Sequence, residues 1–532
     1  MKVLKCSKHP SERIILQEGI DSPLIPYYCT DVNTIILIGL LRWRLGMKRT
    51  AIQKFLRSKG ICLSTGTISN RSLDFLLLFK QLHKARKDET IAFFKKIRGI
   101  ILHVDGTHKS GGEVVFVLQE GTSDIIVNAD LIPSEAQDHV SPLLIDFKEQ
   151  YGSPLVIVRD MAKGIALSAS SVFPETPQQI CQIHFLRNLE KNLVTNAHKS
   201  LKKSIVGQNF TSKIRDLRTV LRTEIPHKNL QNLWVHMAID YLLHPVVKRA
   251  KWLSCPISYY IQYIRIKEIS DLINRLIFSN AKNLFVCQSV MELNKFLKQI
   301  LEDSEVSCNF DQVQRTLGWL NDIRTQLGIT RTNHLKDSLP IVANFDATLK
   351  DIKNTLDRIV MEGKELGGKY KRIALSIMTS FNNHWDELFV PDPIIDGKRI
   401  TFKRHNNSLE SSHRRIRKSI RERTGNSETN REMEQFGDLL AIISNLWNEN
   451  YQKEIIGDIY DIARHLGPFV GELSHLRNEY RMVRIGPELP ISDNKRKNCL
   501  ELFVRSLESD RPMEDMMLIF ESFFQVGAGA VC

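Results

Sequence analysis

The chain has 532 residues and a formal net charge of +14, from 74 Lys and Arg against 60 Asp and Glu. Its hydrophobic content of 42% and aromatic content of 8% suffice for packed cores, which excludes an intrinsically disordered protein, and its length predicts roughly two to four domains. The positive balance favours a polyanionic partner, and nucleic acid is the first candidate.

The cysteines and the N-terminal residues bear on the cellular compartment. The 9 cysteines are odd in number and scattered, so we expect reduced thiols and no disulfide framework. The N-terminal residues Met1–Cys6, within the polar segment 1–30, form no apolar core long enough for a signal peptide, and Ile35–Leu41 is too short to span a bilayer. We therefore expect no membrane association and a cytoplasmic protein close to the nucleoid. Cys6 and His9 have ligand-like spacing, but zinc is not expected because too few further ligands follow.

Residues 31–97 have the pattern of a helix-turn-helix followed by a charged connector. Apolar residues recur at helical spacing in Thr34–Arg44 and Arg49–Ser58. Gly60 marks a turn before a third helix that Ser64 or Thr65 can cap and that is predicted to run through Leu78. The start of that helix is small, polar and basic, as in a helix that enters the DNA major groove. A generic three-helix bundle has the same periodicity and remains the alternative. The predicted DNA contacts are Thr65, Thr67, Asn70 and Arg71.

Residues 98–190 alternate apolar β-type runs with helical ones. Three strands near 99–104, 113–119 and 124–132 are separated by glycine-containing turns, which predicts an antiparallel meander. A helix, a fourth strand, a second helix and a short strand near 179–183 follow, and the fourth strand should lie parallel after a right-handed crossover. This order predicts an α+β, ribonuclease H-like fold with a mixed five-stranded sheet.

Two of these strands end on an aspartate, at Asp105 and Asp160. Carboxylates are hard oxygen ligands of the kind that magnesium takes in phosphoryl-transfer sites. The pair therefore predicts a divalent-cation site at the carboxyl edge of the sheet. The alternative is that both are ordinary strand-end residues.

The rest of the chain is predicted to be mainly helical. Residues 191–400 read as an all-α insertion, 401–450 as the last part of the catalytic core, and 451–532 as a C-terminal helical region. In the middle part, Ser408 can cap a basic helix headed by Glu410, and three arginines follow it at spacings that keep them on one helical face. Such a face suits a metal ligand followed by phosphate contacts. A first-turn acid favoured by the helix dipole is the alternative. The arginines are Arg414, Arg417 and Arg421.

Four segments together resemble the DDE-type transposases of bacterial insertion sequences, of the Mutator-like kind with a helical insertion. The resemblance covers roughly residues 30–450 and implies that Asp105, Asp160 and Glu410 form the catalytic and metal-binding triad for Mg²⁺, with Mn²⁺ as a substitute. The segments are His103-Val104-Asp105-Gly106-Thr107-His108, Val158-Arg159-Asp160-Met161-Ala162-Lys163-Gly164-Ile165, Cys181-Gln182-Ile183-His184-Phe185-Leu186-Arg187-Asn188-Leu189 and Arg404-His405-Asn406-Asn407-Ser408-Leu409-Glu410-Ser411-Ser412-His413-Arg414.

The resemblance also implies an activity and partners. The activity is cleavage of DNA at the ends of a mobile element, followed by transfer of the 3′-hydroxyl into target DNA. The partner is double-stranded DNA, bound by a homodimer in a prokaryotic cell, and Arg414, Arg417, Lys418 and Arg421 contact phosphates. Cys181 and His184 form the C-x2-H pair of the Mutator-like pattern, for which packing or DNA positioning is expected in place of zinc binding. A catalytically inactive, transposase-derived DNA-binding protein is the alternative function.

Overall fold

The computed structural model describes residues 2–6, 9–16, 30–107, 113–224, 230–244, 257–278, 288–329, 345–457 and 462–484. The chain divides into two compact units, each assembled from separate stretches. Unit 1 comprises Met1–Ile100, Asp105–Gly152 and Leu409–Cys532, and unit 2 comprises Ile101–Val104 and Ser153–Ser408.

A mixed five-stranded sheet confirms the predicted α+β class. Its strand order is β5-β4-β3-β6-β7, with β4 and β5 antiparallel and with β6 parallel to both β3 and β7. The last strand is shorter than predicted, because Cys181 already serves as the N-cap of the next helix. The strands are β3 (Ile101–Thr107), β4 (Val114–Glu120), β5 (Ile126–Ile132), β6 (Val156–Arg159) and β7 (Gln178–Ile180), and a separate hairpin near the N-terminus pairs β1 (Lys2–Cys6) with β2 (His9–Leu16).

Three helices follow the N-terminal hairpin in unit 1: α1 (Val32–Gly39), α2 (Arg49–Ser58) and α3 (Thr65–Ala85). They share an apolar core, and Ser64 caps α3 as predicted, its Oγ accepting from the Thr67 N–H at 3.0 Å. Gly39 allows the close approach of α1 and α3, because a Cβ there would lie 2.1 Å from the Phe75 ring. A π-helical turn, Leu40–Arg44, extends α1, so the predicted first helix consists of two kinds of helix.

Of the remaining helices of unit 1, some contact β4 or β5 and others pack on α3. Gly437 lets its helix approach β4 closely, since a Cβ there would lie 2.3 Å from a Val115 methyl group. The Asn445 side chain continues the edge of β5 by accepting from the Ile126 N–H at 2.9 Å and donating to the Ile126 carbonyl at 2.8 Å. These helices are α4 (Lys87–Lys96), α5 (Gln137–Tyr151), α15 (Asn407–Thr424, in unit 1 from Leu409), α16 (Asn430–Ile443), α17 (Ile462–Leu466) and α18 (Leu473–Arg484), with short 3₁₀ or π turns at Ser444–Trp447, Tyr451–Ile456 and Gly467–Glu472.

Unit 2 joins β6 and β7 to a large helical assembly. In the described parts of residues 191–393, helices are the only regular elements, but a short hairpin occupies the end of the block 191–400 that was predicted to be all-α. Phe185 and Phe381 pack edge-to-face in its core, with ring centroids 4.9 Å apart. The helices are α6 (Lys163–Val172), α7 (Gln182–Gly207), α8 (Phe210–Glu224), α9 (Leu230–Leu243), α10 (Ser258–Phe278), α11 (Gln288–Glu302), α12 (Ser304–Gln326), α13 (Phe345–Leu366) and α14 (Gly368–Leu388), and a two-residue hairpin pairs β8 (Ile394–Ile395) with β9 (Lys398–Arg399).

None of the helices in the described ranges combines the length and the apolar character needed to cross a lipid bilayer.

Candidate active site and nucleic-acid interface

In unit 1, the helix that carries Glu410 lies against the end of β3 that carries Asp105. His413 lies next to Asp105, with its Nε2 3.8 Å from Oδ2 of that aspartate. One turn further along α15, the Arg417 guanidinium donates a hydrogen bond to the Thr107 hydroxyl. Residues 410, 413 and 417 follow one another at spacings of 3 and 4, so they share a helical face. Unit 1 therefore brings the predicted first aspartate and the helix of the predicted glutamate together.

The His413 ring is buried beside these acids and remains uncharged at neutral pH. Burial lowers its pKa to about 4, Arg417 lowers it as well, and Glu410 acts in the opposite direction. At 3.8 Å its contact with Asp105 is longer than a hydrogen bond. A neutral ring does not cancel the negative charge of a carboxylate, so Asp105 and Glu410 keep the hard, anionic oxygen donors that suit a divalent cation. His413 is not among the site residues predicted from the sequence. Its position three residues after Glu410 nevertheless puts it on the same face of the predicted helix.

In unit 2, Asp160 follows directly on β6 and makes a turn into α6. Its Oδ1 accepts from the Ala162 N–H at 2.8 Å, which orients the carboxylate. The preceding residue, Arg159, is held by its Nε donating to Gln178 at 2.6 Å and by an ion pair of its NH2 with Glu387 at 2.6 Å. The backbone that presents Asp160 is thus fixed by side chains from β7 and α14.

The residues that precede Glu410 are attached to the sheet within unit 2. The Asn406 side chain donates to the Val104 carbonyl at 2.9 Å, and the Asn406 backbone N–H donates to the Cys181 sulfur at 3.3 Å. The Gln182 N–H donates to the Arg404 carbonyl at 3.0 Å. Cys181 therefore packs against the segment that leads into α15, while His184, three residues later, is half-buried.

Metal-ligand geometry is not assembled within the described residues. No group of three or more His, Cys, Asp or Glu side chains in that part of the chain has the arrangement of a metal site. Asp105 and Glu410 belong to unit 1, and Asp160 belongs to unit 2. Residues 108–112, which follow Thr107 and include His108, lie outside the described residues.

At the start of α3, the four residues predicted to contact DNA differ in their surroundings. Asn70 is exposed, and Thr65 and Thr67 are half-buried, with the Thr67 hydroxyl 2.9 Å from the capping Ser64 hydroxyl. Arg71 donates to Asp74 at 2.8 Å, and its side chain is 11% exposed. Asn70 is therefore the side chain best presented to a partner, and Arg71 also holds a buried acid.

The basic residues of α15 divide into an inward and an outward group. Arg417 is half-buried against Thr107, whereas the other three predicted phosphate contacts are exposed. The prediction that Ser408 caps the helix is wrong: α15 begins at Asn407, and the Ser408 Oγ is buried without a hydrogen-bond partner. The exposed group is Arg414, Lys418 and Arg421.

Comparison with known protein families adds a match in the middle of the chain. Residues 112–223 match the family model described as transposase, Mutator family. Over this stretch the chain is similar to Mutator-family transposases. The match supports a transposase, and transposases bind DNA; it spans Asp160, Cys181 and His184 and ends before Glu410. No curated protein matches the chain.

Proposed function

We propose that the protein is a DDE transposase that cleaves DNA at the ends of a mobile element and joins the freed 3′-hydroxyl to target DNA. In this proposal Asp105, Asp160 and Glu410 hold the metal ions. The observation that carries it is the contact of His413 with Asp105, which sets the Glu410 face of α15 against the end of β3.

The register of the parallel strands supports the assignment of Asp160. Strands β3 and β6 pair as Ile101↔Val156, Leu102↔Ile157 and His103↔Val158. Asp105 and Asp160 each come two residues after the last of these pairs. The strand order and the long helical excursion before Glu410 also agree with a ribonuclease H-like core interrupted by a helical insertion.

The metal ion and the side chains of the protein contribute different parts of the proposed reaction. When bound, Mg²⁺, or Mn²⁺ in its place, supplies an activated water for strand cleavage and charge stabilisation for the leaving 3′ oxygen. The three carboxylates would supply hard oxygen ligands, and the neutral ring of His413 does not offset the charge of its neighbours Asp105 and Glu410. Arg417 holds the backbone after Asp105 through Thr107, and the exposed cations of α15 neutralise DNA phosphates.

DNA recognition is assigned to the first three helices, with α3 as the helix that enters the major groove and Asn70 as its best-exposed polar residue. We further propose a homodimer that pairs two element ends, in the cytoplasm of a prokaryotic cell close to the nucleoid.

The test is cleavage and strand joining by three carboxylate variants. We expect Asp105→Asn, Asp160→Asn and Glu410→Gln to abolish Mg²⁺-dependent activity on duplexes taken from the boundaries of the element, because each removes a charged ligand. DNA affinity, measured by fluorescence anisotropy in the same preparations, should be retained. Two exposed acids provide matched controls, Asp357→Asn and Glu449→Gln, and both should cleave as the wild type does.

Wild-type DNA binding without any Mg²⁺-dependent or Mn²⁺-dependent cleavage would contradict the enzyme assignment. Together with retained affinity in all three carboxylate variants, that result would favour the inactive, transposase-derived DNA-binding protein.

A further inference from the structure

Helix α7 presents an exposed face that carries four lysines. We call this face the α7 stripe. Positions along it recur at spacings of 3 and 4, as required for one side of a helix. The stripe consists of the exposed residues Asn188, Lys191, Asn192, Lys199, Lys202 and Lys203.

The charge of the stripe is not balanced locally. Glu190 is the one acid in the sequence of α7, and it is 4% exposed, turned away from the stripe. None of the four stripe lysines forms a salt bridge with an acid among the described residues. The ammonium group of Lys202 lies 5.8 Å from the centre of the Tyr259 ring. Four uncompensated lysines on one face create a positive potential that an ordinary solvated helix, with mixed charges, does not have.

The opposite side of α7 is held firmly, so the stripe is presented by a rigid element. Leu189, Val194 and Leu201 are buried in the core of unit 2. His198 accepts a hydrogen bond from the Tyr259 N–H at 2.9 Å, which ties α7 to α10. A straight, packed helix can follow a DNA backbone without the loss of chain entropy that ordering a loop requires.

The stripe begins beside Asp160. The Asn188 side chain contacts the sulfur of Met161, the residue after Asp160, at 3.2 Å. The N-terminus of α7 is also fixed next to β6, because the Cys181 N–H donates to the Arg159 carbonyl at 2.7 Å. From Asn188 to Lys203 the helix advances about 22 Å. That length corresponds to about six base pairs of B-DNA.

We propose that the α7 stripe binds the sugar-phosphate backbone of the duplex that flanks the reacting phosphate, leading the DNA away from Asp160. The inference rests on the proposed function, because it takes Asp160 as part of the metal site. Lysines at these positions act as point charges that neutralise phosphates without reading sequence. The stripe therefore sets how strongly the flank is held, not which sequence is chosen.

The first experiment measures the salt dependence of DNA binding by the full-length chain. The probe is a fluorescein-labelled duplex of mixed sequence, about 40 base pairs long so that the flank is included. We expect the triple variant Lys199→Gln, Lys202→Gln, Lys203→Gln to reduce the magnitude of the slope of log K against log salt by about 2 to 3. The matched control removes three exposed lysines from other helices of unit 2, Lys295→Gln, Lys298→Gln and Lys364→Gln, and should keep the wild-type slope.

The second experiment tests the position of the flank. Precleaved duplexes that extend either about four or about twelve base pairs from the reactive 3′-hydroxyl are used for strand joining. The wild type and the control should join the longer duplex more efficiently, because only that one reaches Lys199, Lys202 and Lys203. The triple variant should lose this preference.

The outcomes separate the inference from the proposed function. If the wild type joins DNA but the triple variant keeps the wild-type slope and length preference, the stripe is a solvated surface and the inference is wrong. If the wild type joins no DNA at all, the proposed function fails, and the salt slope still decides whether the stripe binds duplex. Circular dichroism and thermal melting, which should be unchanged in both triple variants, verify that each one folds.

Discussion

His413 combines two properties at the scale of a single residue: a buried imidazole and a position near the two acids Asp105 and Glu410. Its pKa in the folded chain is about 4, against 6.5 for an unperturbed histidine, and burial is the main cause. Between these values the unfolded chain binds a proton that the folded chain excludes. The stability that the neutral ring contributes is therefore present above pH 6.5 and is lost as the pH falls towards 4.

We predict that His413→Gln weakens the acid sensitivity of the fold. Since one proton is involved, the free energy of unfolding of the wild type should fall more steeply than that of the variant, by about 1.4 kcal/mol per pH unit in this window. Urea denaturation at several pH values measures both slopes. His475→Gln is the control, because that ring is 73% exposed, and it should follow the wild type. Equal slopes for all three proteins would mean that the ring is accessible to protons in the folded chain.

Single residues also show which features of the site cannot be predicted from the sequence. Asp105 and Asp160 are recognisable because each follows an apolar run of residues, a pattern that is local in the chain. The hydrogen bond from Asn406 to Val104 joins residues 302 positions apart, and no local pattern indicates it. The predicted cap at Ser408 is wrong for a related reason. Asn406, just before it, is fixed by contacts with Val104 and Cys181, and these long-range contacts decide where the helix begins.

Among the elements, α3 depends on an ion-pair network with α18. Asp74 on α3 is fully buried, and it accepts from Arg71 at 2.8 Å and from Arg477 of α18 at 2.7 Å. Burial raises the pKa of Asp74 although both guanidinium groups lower it, so desolvation outweighs the pairing. The Asp74 carboxylate therefore stabilises the fold mainly by compensating the positive charge of the partly buried guanidinium groups of Arg71 and Arg477.

We predict that Asp74→Ala lowers the free energy of unfolding by about 3 to 5 kcal/mol, as expected when one partner of a buried ion pair is removed. Equilibrium unfolding in urea measures this loss. Glu449→Ala removes a carboxylate whose side chain is 85% exposed and should change stability by less than about 0.5 kcal/mol. A loss for Asp74→Ala no larger than that of the control would show that α18 does not depend on the pair.

The sequence predicts the type of each helix or strand better than it predicts its length. Apolar periodicity and glycine turns gave the five strands and the first three helices, because these signals depend on neighbours a few residues apart. The sequence predicts that the third helix ends at Leu78, whereas α3 continues to Ala85. Its last turns are held by long-range contacts, such as the hydrogen bond of His83 with the Tyr451 hydroxyl at 2.8 Å.

For the molecule as a whole, the net charge of +14 indicated a polyanionic partner but not where it binds. The structure separates the basic residues into exposed ones, such as those on α15 and α7, and buried ones with structural roles. Arg423 is an example of the latter, since its guanidinium lies 4.1 Å from the centre of the Trp43 ring and is buried. Counting charges in the sequence overestimates the number available to DNA, because buried cations do not exchange counterions with a phosphate.

The two exposed basic surfaces lead to a prediction about the intact protein. If α15 and the α7 stripe contact the same duplex, each phosphate contact releases its own counterion, so losses of slope should add. Changing the outward group of α15 (Arg414, Lys418 and Arg421) to glutamine should reduce the slope of log K against log salt by about 2 to 3, as should the α7 triple variant. Combining both sets should reduce it by about 5 in anisotropy titrations of the full-length chain. A combined loss no greater than that of either triple variant would show that the two surfaces do not bind one DNA molecule together.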